Sequence, residues 1–333
     1  MYKYEVIIKL SSFILALVLI SISTASALTI NQYDTSITST NNVNIKKWTI
    51  LVYLNGDTND STGDLSLFRF INEMENVGKS DEINIIVQAD DYNLWDGQTK
   101  RYEIKKDNNI DKINSIVVDS DTSEKDMANP NTLVNFVNWA TNINNYPAEN
   151  YALFITGHGN GWRELSPDHT DRSVMYIDGL ETALEQIKDR LGKKLDILVF
   201  YSCLMSTFEV YYQIKDSVEI CVGSEQKVPT SDLSFEYALE DLKNHPNYNS
   251  SEFAKSIVDG SYSQPLNENE PYTHFLLGIH MNRINKIKDY VNYFANNRID
   301  GDSNNYLTDY LIKSAYQKSH VSTNHNILHK PHD

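Results

Sequence analysis

Residues 150–162 read Asn-Tyr-Ala-Leu-Phe-Ile-Thr-Gly-His-Gly-Asn-Gly-Trp, and residues 197–205 read Ile-Leu-Val-Phe-Tyr-Ser-Cys-Leu-Met. Tyr151 to Thr156 and Ile197 to Tyr201 are continuous apolar runs without polar alternation, the pattern of strands buried on both faces. Each run stops at a reactive side chain. The first opens into glycines 157, 159 and 161 around His158, the second into Ser202 and Cys203. In open parallel sheets ligands bind beyond the carboxyl ends of the strands, so His158 and Cys203 leave the sheet at the same edge. If the two strands are neighbours, about 4.8 Å apart, an imidazole and a thiol can span the gap.

Outward from these two stretches the same design repeats. Thr49–Leu54, Asn84–Gln88, Val218–Val222 and Phe275–Ile279 read as further strands, with a short extra one at Arg101–Ile104. Between them lie helical periods. Leu67, Phe68, Ile71 and Met74 form one; Leu133, Val134, Phe136, Val137 and Ala140 form another, behind an Asn129-Pro130 start signal. Helices are also expected at Leu180–Leu191, at Leu204–Ile214, and through Ile284, Ile287, Tyr290, Val291 and Phe294. Alternating strands and helices imply an α/β fold: a central, mostly parallel sheet with helices on both faces and right-handed crossovers.

The chemistry follows from the residue types. A thiolate is the nucleophilic form of cysteine, and a free thiol has a pKa of about 8.5. Cys203, placed at the start of the expected Leu204–Ile214 helix, would have its anion favoured by the helix dipole. His158 can accept the thiol proton and return it to a leaving amine. Glycines around it let backbone approach a substrate closely. The N–H groups of Gly159 and Cys203 are candidates for holding a tetrahedral oxyanion, worth roughly 3 kcal/mol per donor. No cofactor is required by this chemistry, and no side chain is assigned as a metal ligand. Cys221 sits inside its strand between Ile220 and Val222 and reads as a small buried hydrophobe.

Composition agrees with a globular protein, at 41% hydrophobic and 22% charged residues. A formal net charge of −16 argues against nucleic acid as a partner. Two cysteines do not make a disulfide framework. At the N-terminus, Lys3 and Lys9 flank an apolar run, Leu10 to Ile22, and Ala25-Ser26-Ala27 resembles a cleavage site. Residues 1–27 are therefore expected to be a signal peptide, and residues 28–46 a flexible leader or pro-segment. The main domain covers residues 47–300, and a C-terminal helix with a His-containing tail covers residues 301–333. Export implies a secreted or cell-surface protein with no membrane partner after signal removal.

The flanking sequence resembles the clostripain family of cysteine peptidases, relatives of caspases, legumains and gingipains. The segments that carry the resemblance are Trp48-Thr-Ile-Leu-Val-Tyr, Asn131-Thr-Leu-Val-Asn-Phe-Val-Asn-Trp-Ala, the stretch around His158, Cys203-Leu-Met-Ser, and Gly223-Ser-Glu. The order, His before Cys, differs from papain-like enzymes. The resemblance implies a caspase–hemoglobinase α/β sandwich and endopeptidase cleavage of protein or peptide substrates, usually after Arg or Lys. It also implies possible self-processing in the loop after the histidine, here Arg163 to Arg172, and a possible response to calcium. One position departs from the family pattern. Tyr201 stands where an aspartate usually shapes an acidic specificity pocket, and Ser202 replaces an alanine. Tyr201, Ser224 and Asp232 are the substrate-binding candidates, with Asp232 as a compensating carboxylate.

Other features have plainer readings. His320, His325, His329 and His332 lack zinc-motif spacing and read as a solvated tail. Asp57, Asn59, Asp60 and Asp64 carry oxygen donors suited to calcium, but their spacing fits a solvated loop or helix cap. Two rivals to the peptidase use the same chain: a secreted binding protein that keeps the fold without catalysis, and an acyl transferase.

Overall fold

The structure is a computed structural model that describes residues 44–58, 61–92, 97–119, 121, 123–230, 233–262 and 276–299. The expected signal peptide, most of the leader, Asp232 and the C-terminal histidines lie outside the described residues. Along the chain run β1 (Lys46–Gly56), α1 (Ser61–Val77), β2 (Ile83–Asp91), β3 (Lys100–Glu103), β4 (Ile116–Val117) and α2 (Pro130–Ala140). They are followed by β5 (Ala148–Thr156), β6 (Glu164–Asp168), β7 (Ser173–Tyr176), α3 (Ile177–Leu191), β8 (Leu195–Tyr201), α4 (Phe208–Ile214) and β9 (Val218–Gly223). The last described elements are α5 (Glu236–Asn244), α6 (Ser250–Tyr262), β10 (Leu277–His280) and α7 (Ile284–Ile299).

Eight strands form one sheet in the order β10-β9-β8-β5-β1-β2-β3-β4, while β6 and β7 pair separately. Five central strands run parallel, and the edges are antiparallel: β10 against β9, β3 against β2, and β4 against β3. The apolar runs read from sequence form the parallel centre because both faces are covered. In β1, Trp48, Ile50, Val52 and Leu54 face one core and Leu51 and Tyr53 the other. α1, α5 and α6 close the first core; α2, α3 and α4 close the second. Helix ends follow local rules. The Asn129 side chain accepts the Asn131 N–H ahead of Pro130, and α3 stops at Gly192 with φ 69°.

Three differences from the sequence reading bear on the site. The helix expected from Leu204 begins at Phe208, because Leu204 adopts φ 63° and cannot be helical. The helix-dipole argument for Cys203 therefore fails: four residues of turn and extended chain separate it from α4. The segment after His158, read as a loop, is the β6–β7 hairpin. Finally, α5 and α6 were not anticipated; both cover the first core.

Candidate active site

β5 and β8 are neighbouring parallel strands, with Thr156 opposite Tyr201 in register. His158 and Cys203 each lie two residues past that pair, so the sheet delivers both to one rim. They line the same cavity of about 160 Å³, His158 exposed and Cys203 half-buried. Gly159 is where the two loops press together. A Cβ there would lie 2.5 Å from the Cys203 carbonyl oxygen and 2.9 Å from Met205 Cγ, so any larger residue would separate the loops.

The histidine loop is held from below by the hairpin. Ser166 N–H donates to His158 O at 2.8 Å, and Asn160 N–H to Glu164 O at 3.0 Å. This bridge pairs Gly159 with Leu165 and leaves the Gly159 N–H turned away from β6. Asn55, at the end of β1, donates through Nδ2 to Ser166 Oγ and Pro167 O. No sequence motif marked Asn55, yet it joins the first strand to the histidine loop.

The cysteine loop is laced to the segment after β9. Leu204 N–H donates to Gln226 O and Ser206 N–H to Ser224 O, both at 3.0 Å. Val228 N–H donates to Cys203 Sγ at 3.3 Å. Ser224, a substrate-binding candidate from sequence, is fully buried in this lacing and is not among the residues that line the cavity. Cys221 is fully buried in β9, and burial pushes its thiol pKa up.

Tyr201 does line the cavity. Its ring packs against Phe70, Phe154 and Phe235, and its hydroxyl donates to Ser234 O at 2.9 Å. Leu54, Leu67, Phe70 and Leu233 supply further apolar wall, and among the described residues no carboxylate lines the cavity. Behind the wall, the Arg69 guanidinium donates to the carbonyls of Thr230 and Leu233. Arg163 and Arg172 are both exposed, the latter at the hairpin tip with φ 55°.

A separate group of acids lies beyond the histidine loop. Asp57, Asp90, Glu124 and Asp168 each place a carboxylate oxygen within 4.8 Å of the others. Burial pushes Asp90 up to about 8, and Glu124 and Asp168 up to about 7. Of the four oxygen-bearing residues read from sequence after the first strand, Asp57 takes part. Asn59, Asp60 and the Asp64 side chain lie outside the described residues.

Comparison with known proteins agrees with this architecture. The chain is similar to a secreted C11 cysteine protease from Bacteroides thetaiotaomicron in complex with an irreversible peptide inhibitor. The TM-score is 0.59 at 22% identity, over 73% of this chain and 69% of that one. An inactive zymogen C11 protease from Parabacteroides distasonis gives 0.55 at 20% identity, over 74% and 65%. These likenesses identify the fold as the caspase-like α/β sandwich. Clostripain from Hathewaya histolytica is 32% identical over 205 residues, 54% of this chain; the matched region spans 38% of that relative's length. The clostripain family profile matches residues 52–329, and the chain belongs to that family.

Proposed function

We propose that the protein is a secreted cysteine endopeptidase in which Cys203 and His158 act as a dyad. The observation that carries this reading is their shared cavity at the ends of adjacent parallel strands. In the first step Cys203 Sγ attacks the scissile carbonyl carbon and His158 holds the thiol proton. The N–H groups of Gly159 and Cys203 receive the oxyanion. The C–N bond breaks as His158 passes the proton to the leaving amine, leaving a thioester on Cys203. Water, deprotonated by His158, then attacks the thioester, and the acid product departs as the thiol is restored.

The P1 side chain enters the cavity beside Tyr201. A preference for Arg or Lys rests on family membership and on Asp232, next to the lining residue Leu233. A second reading, an uncharged apolar P1, is favoured by the walls themselves: Tyr201, Phe70 and Leu67 are apolar, and Arg69 lies behind them. Export rests on residues 1–27. Self-processing after Arg163 or Arg172 is supported by the exposure of both, and is tested by comparing the intact masses of wild type and Cys203→Ala.

A fluorogenic peptide panel varied at P1, with Cys203→Ala as blank, tests the main reading. Hydrolysis in wild type only is expected, and the favoured P1 class separates the two pocket readings. An iodoacetamide-type probe should label Cys203 well ahead of the buried Cys221, and more slowly in His158→Ala. Equal labelling of the two cysteines together with no turnover would favour a binding protein that keeps the fold. Aminolysis products formed with an added amine would indicate acyl transfer.

A further inference from the structure

We infer that Trp162 forms a primed-side subsite, which receives a large apolar or aromatic side chain from the residues that follow the scissile bond. The observation behind this is an exposed indole fixed beside the reacting groups. Of the tryptophans among the described residues, Trp48 is fully buried and Trp139 half-buried, whereas Trp162 is 61% exposed. It stands on the histidine loop, at the tip of the turn that follows Gly159. Turn tips are ordinarily given to Gly, Asn, Asp, Pro or Ser, so the turn itself has no use for an indole there.

The turn that carries Trp162 is held from several directions. Arg163 N–H donates to Asn160 O at 3.4 Å and Asn160 N–H to Glu164 O at 3.0 Å, which closes a tight turn around Gly161 and Trp162. Gly161 has φ 64°, the left-handed conformation required at the first tip position of such hairpin turns. It is itself buried: a Cβ there would lie 3.4 Å from Leu204 O and 3.9 Å from Thr207 Cγ2. The turn therefore rests on the cysteine loop, immediately after Cys203. The Arg163 guanidinium flanks the indole, 5.6 Å from the ring centre. Backbone bonds and packing thus fix where the indole projects, so a ligand gains its surface without having to order this loop.

The direction of the bound peptide, on which this inference rests, follows from the dyad reading. The P1 side chain enters the cavity walled by Leu54, Phe70 and Tyr201, all of the first core. His158 protonates the leaving amine, so the chain beyond the broken bond departs past the histidine loop. Leu165, which bridges to Gly159 beneath the turn, belongs to the second core. The Trp162 turn is therefore anchored on the opposite side of the rim from the P1 cavity. An indole offers a broad, flat, uncharged surface, and an aromatic partner adds edge-on or offset stacking. Phe, Tyr, Trp or Leu at P1′ or P2′ matches that surface; Gly does not. Trp162 takes no part in bond making: it binds ground state and transition state alike, which acts on KM rather than kcat.

The test uses internally quenched peptides that differ only in carrying Phe-Leu or Gly-Gly at P1′ and P2′, each made with Arg and with Leu at P1. Wild type should cleave the Phe-Leu peptide with about tenfold higher kcat/KM. Trp162→Ala should bring the two peptides level, chiefly through KM, and Trp162→Phe should restore most of the difference. Because the indole is exposed, Trp162→Ala is expected to keep the fold, which thermal unfolding checks. A coumarylamide with no primed residue separates a subsite from a structural prop. Its hydrolysis by Trp162→Ala should fall far less than that of the Phe-Leu peptide; an equal loss on every substrate would mean that the side chain merely supports the histidine loop, and overturns the inference. The same peptides, labelled and titrated into Cys203→Ala, measure affinity without turnover. There the Phe-Leu peptide should bind about tenfold tighter, and Trp162→Ala should erase the difference, so a failed peptidase assay leaves this result standing. No binding of either peptide, equal binding of the two, or a preference that survives Trp162→Ala overturns the inference.

Discussion

Gly159 shows how much the site depends on one missing side chain. Its ideal Cβ would stand 2.5 Å from a backbone oxygen, and backbone cannot step aside as a flexible side chain can. Gly159→Ala should therefore separate the histidine and cysteine loops by a few tenths of an ångström or more. Misplacement on the scale of 1 Å can cost about 100-fold in rate, and overpacking costs about 1–3 kcal/mol. The expected result is at least a tenfold slower alkylation of Cys203 with a modest loss of stability by chemical denaturation. Wild-type labelling in the variant would show that the close approach is immaterial. The glycines around His158 were legible in the sequence as a place of close backbone approach. The role of Tyr201 was legible only as a departure from the family pattern. Its consequence needs Phe70, Phe154, Phe235 and the Ser234 carbonyl, which folding brings from three other segments.

At the scale of elements, the parallel strands could be read directly, because burial on both faces removes polar alternation and leaves runs such as Thr49–Leu54. The β6–β7 hairpin could not. Glu164-Leu-Ser-Pro-Asp mixes polar residues with a proline, and its register shifts between Leu165 and Asp168. The true start of α4 was hidden too, since nothing in Leu204 announces a positive φ; only the lacing to Gln226 and Ser224 does. The missed helix α6 was readable. Asn249 accepts the Ser251 and Glu252 N–H groups, while Glu252 accepts the Asn249 N–H, a reciprocal cap just before Phe253. Phe253 then packs edge-on to Trp48 at 5.2 Å between ring centroids, tying the helix to β1. Asn249→Ala should destabilise the protein by about 1 kcal/mol, seen as a lower denaturation midpoint at unchanged m-value. An unchanged midpoint would mean that packing of Phe253 alone holds α6 in place.

For the whole molecule, charge is the property that sequence conveys only in part. The net charge of −16 was visible, but not that four of the acids converge from β1, β2, β6 and the segment before α2. That convergence makes stability depend on pH in a defined direction. Burial raises Asp90 from 3.8 to about 8, with Asp168, Asp57 and Glu124 adding repulsion against the Thr99 hydrogen bond. Burial likewise raises Glu124 from 4.5 and Asp168 from 3.8 to about 7, with Asp171 and Asp57 also facing them. Between about pH 4 and pH 8 the folded protein therefore holds more protons at these groups than the unfolded chain. The contribution of these groups to stability then falls as pH rises through that window; Asp90, the most buried of them, contributes up to about 1.4 kcal/mol per pH unit while its extra proton is bound, and the more exposed Glu124 and Asp168 less. The trend contrasts with a salt-bridged carboxylate, whose depressed pKa makes stability fall toward acid. In EDTA, Tm measured from pH 5 to pH 8 should decline in wild type and decline less in Asp90→Asn. An identical pH dependence of Tm in wild type and Asp90→Asn would show that the Asp90 carboxylate is already ionised in the folded protein.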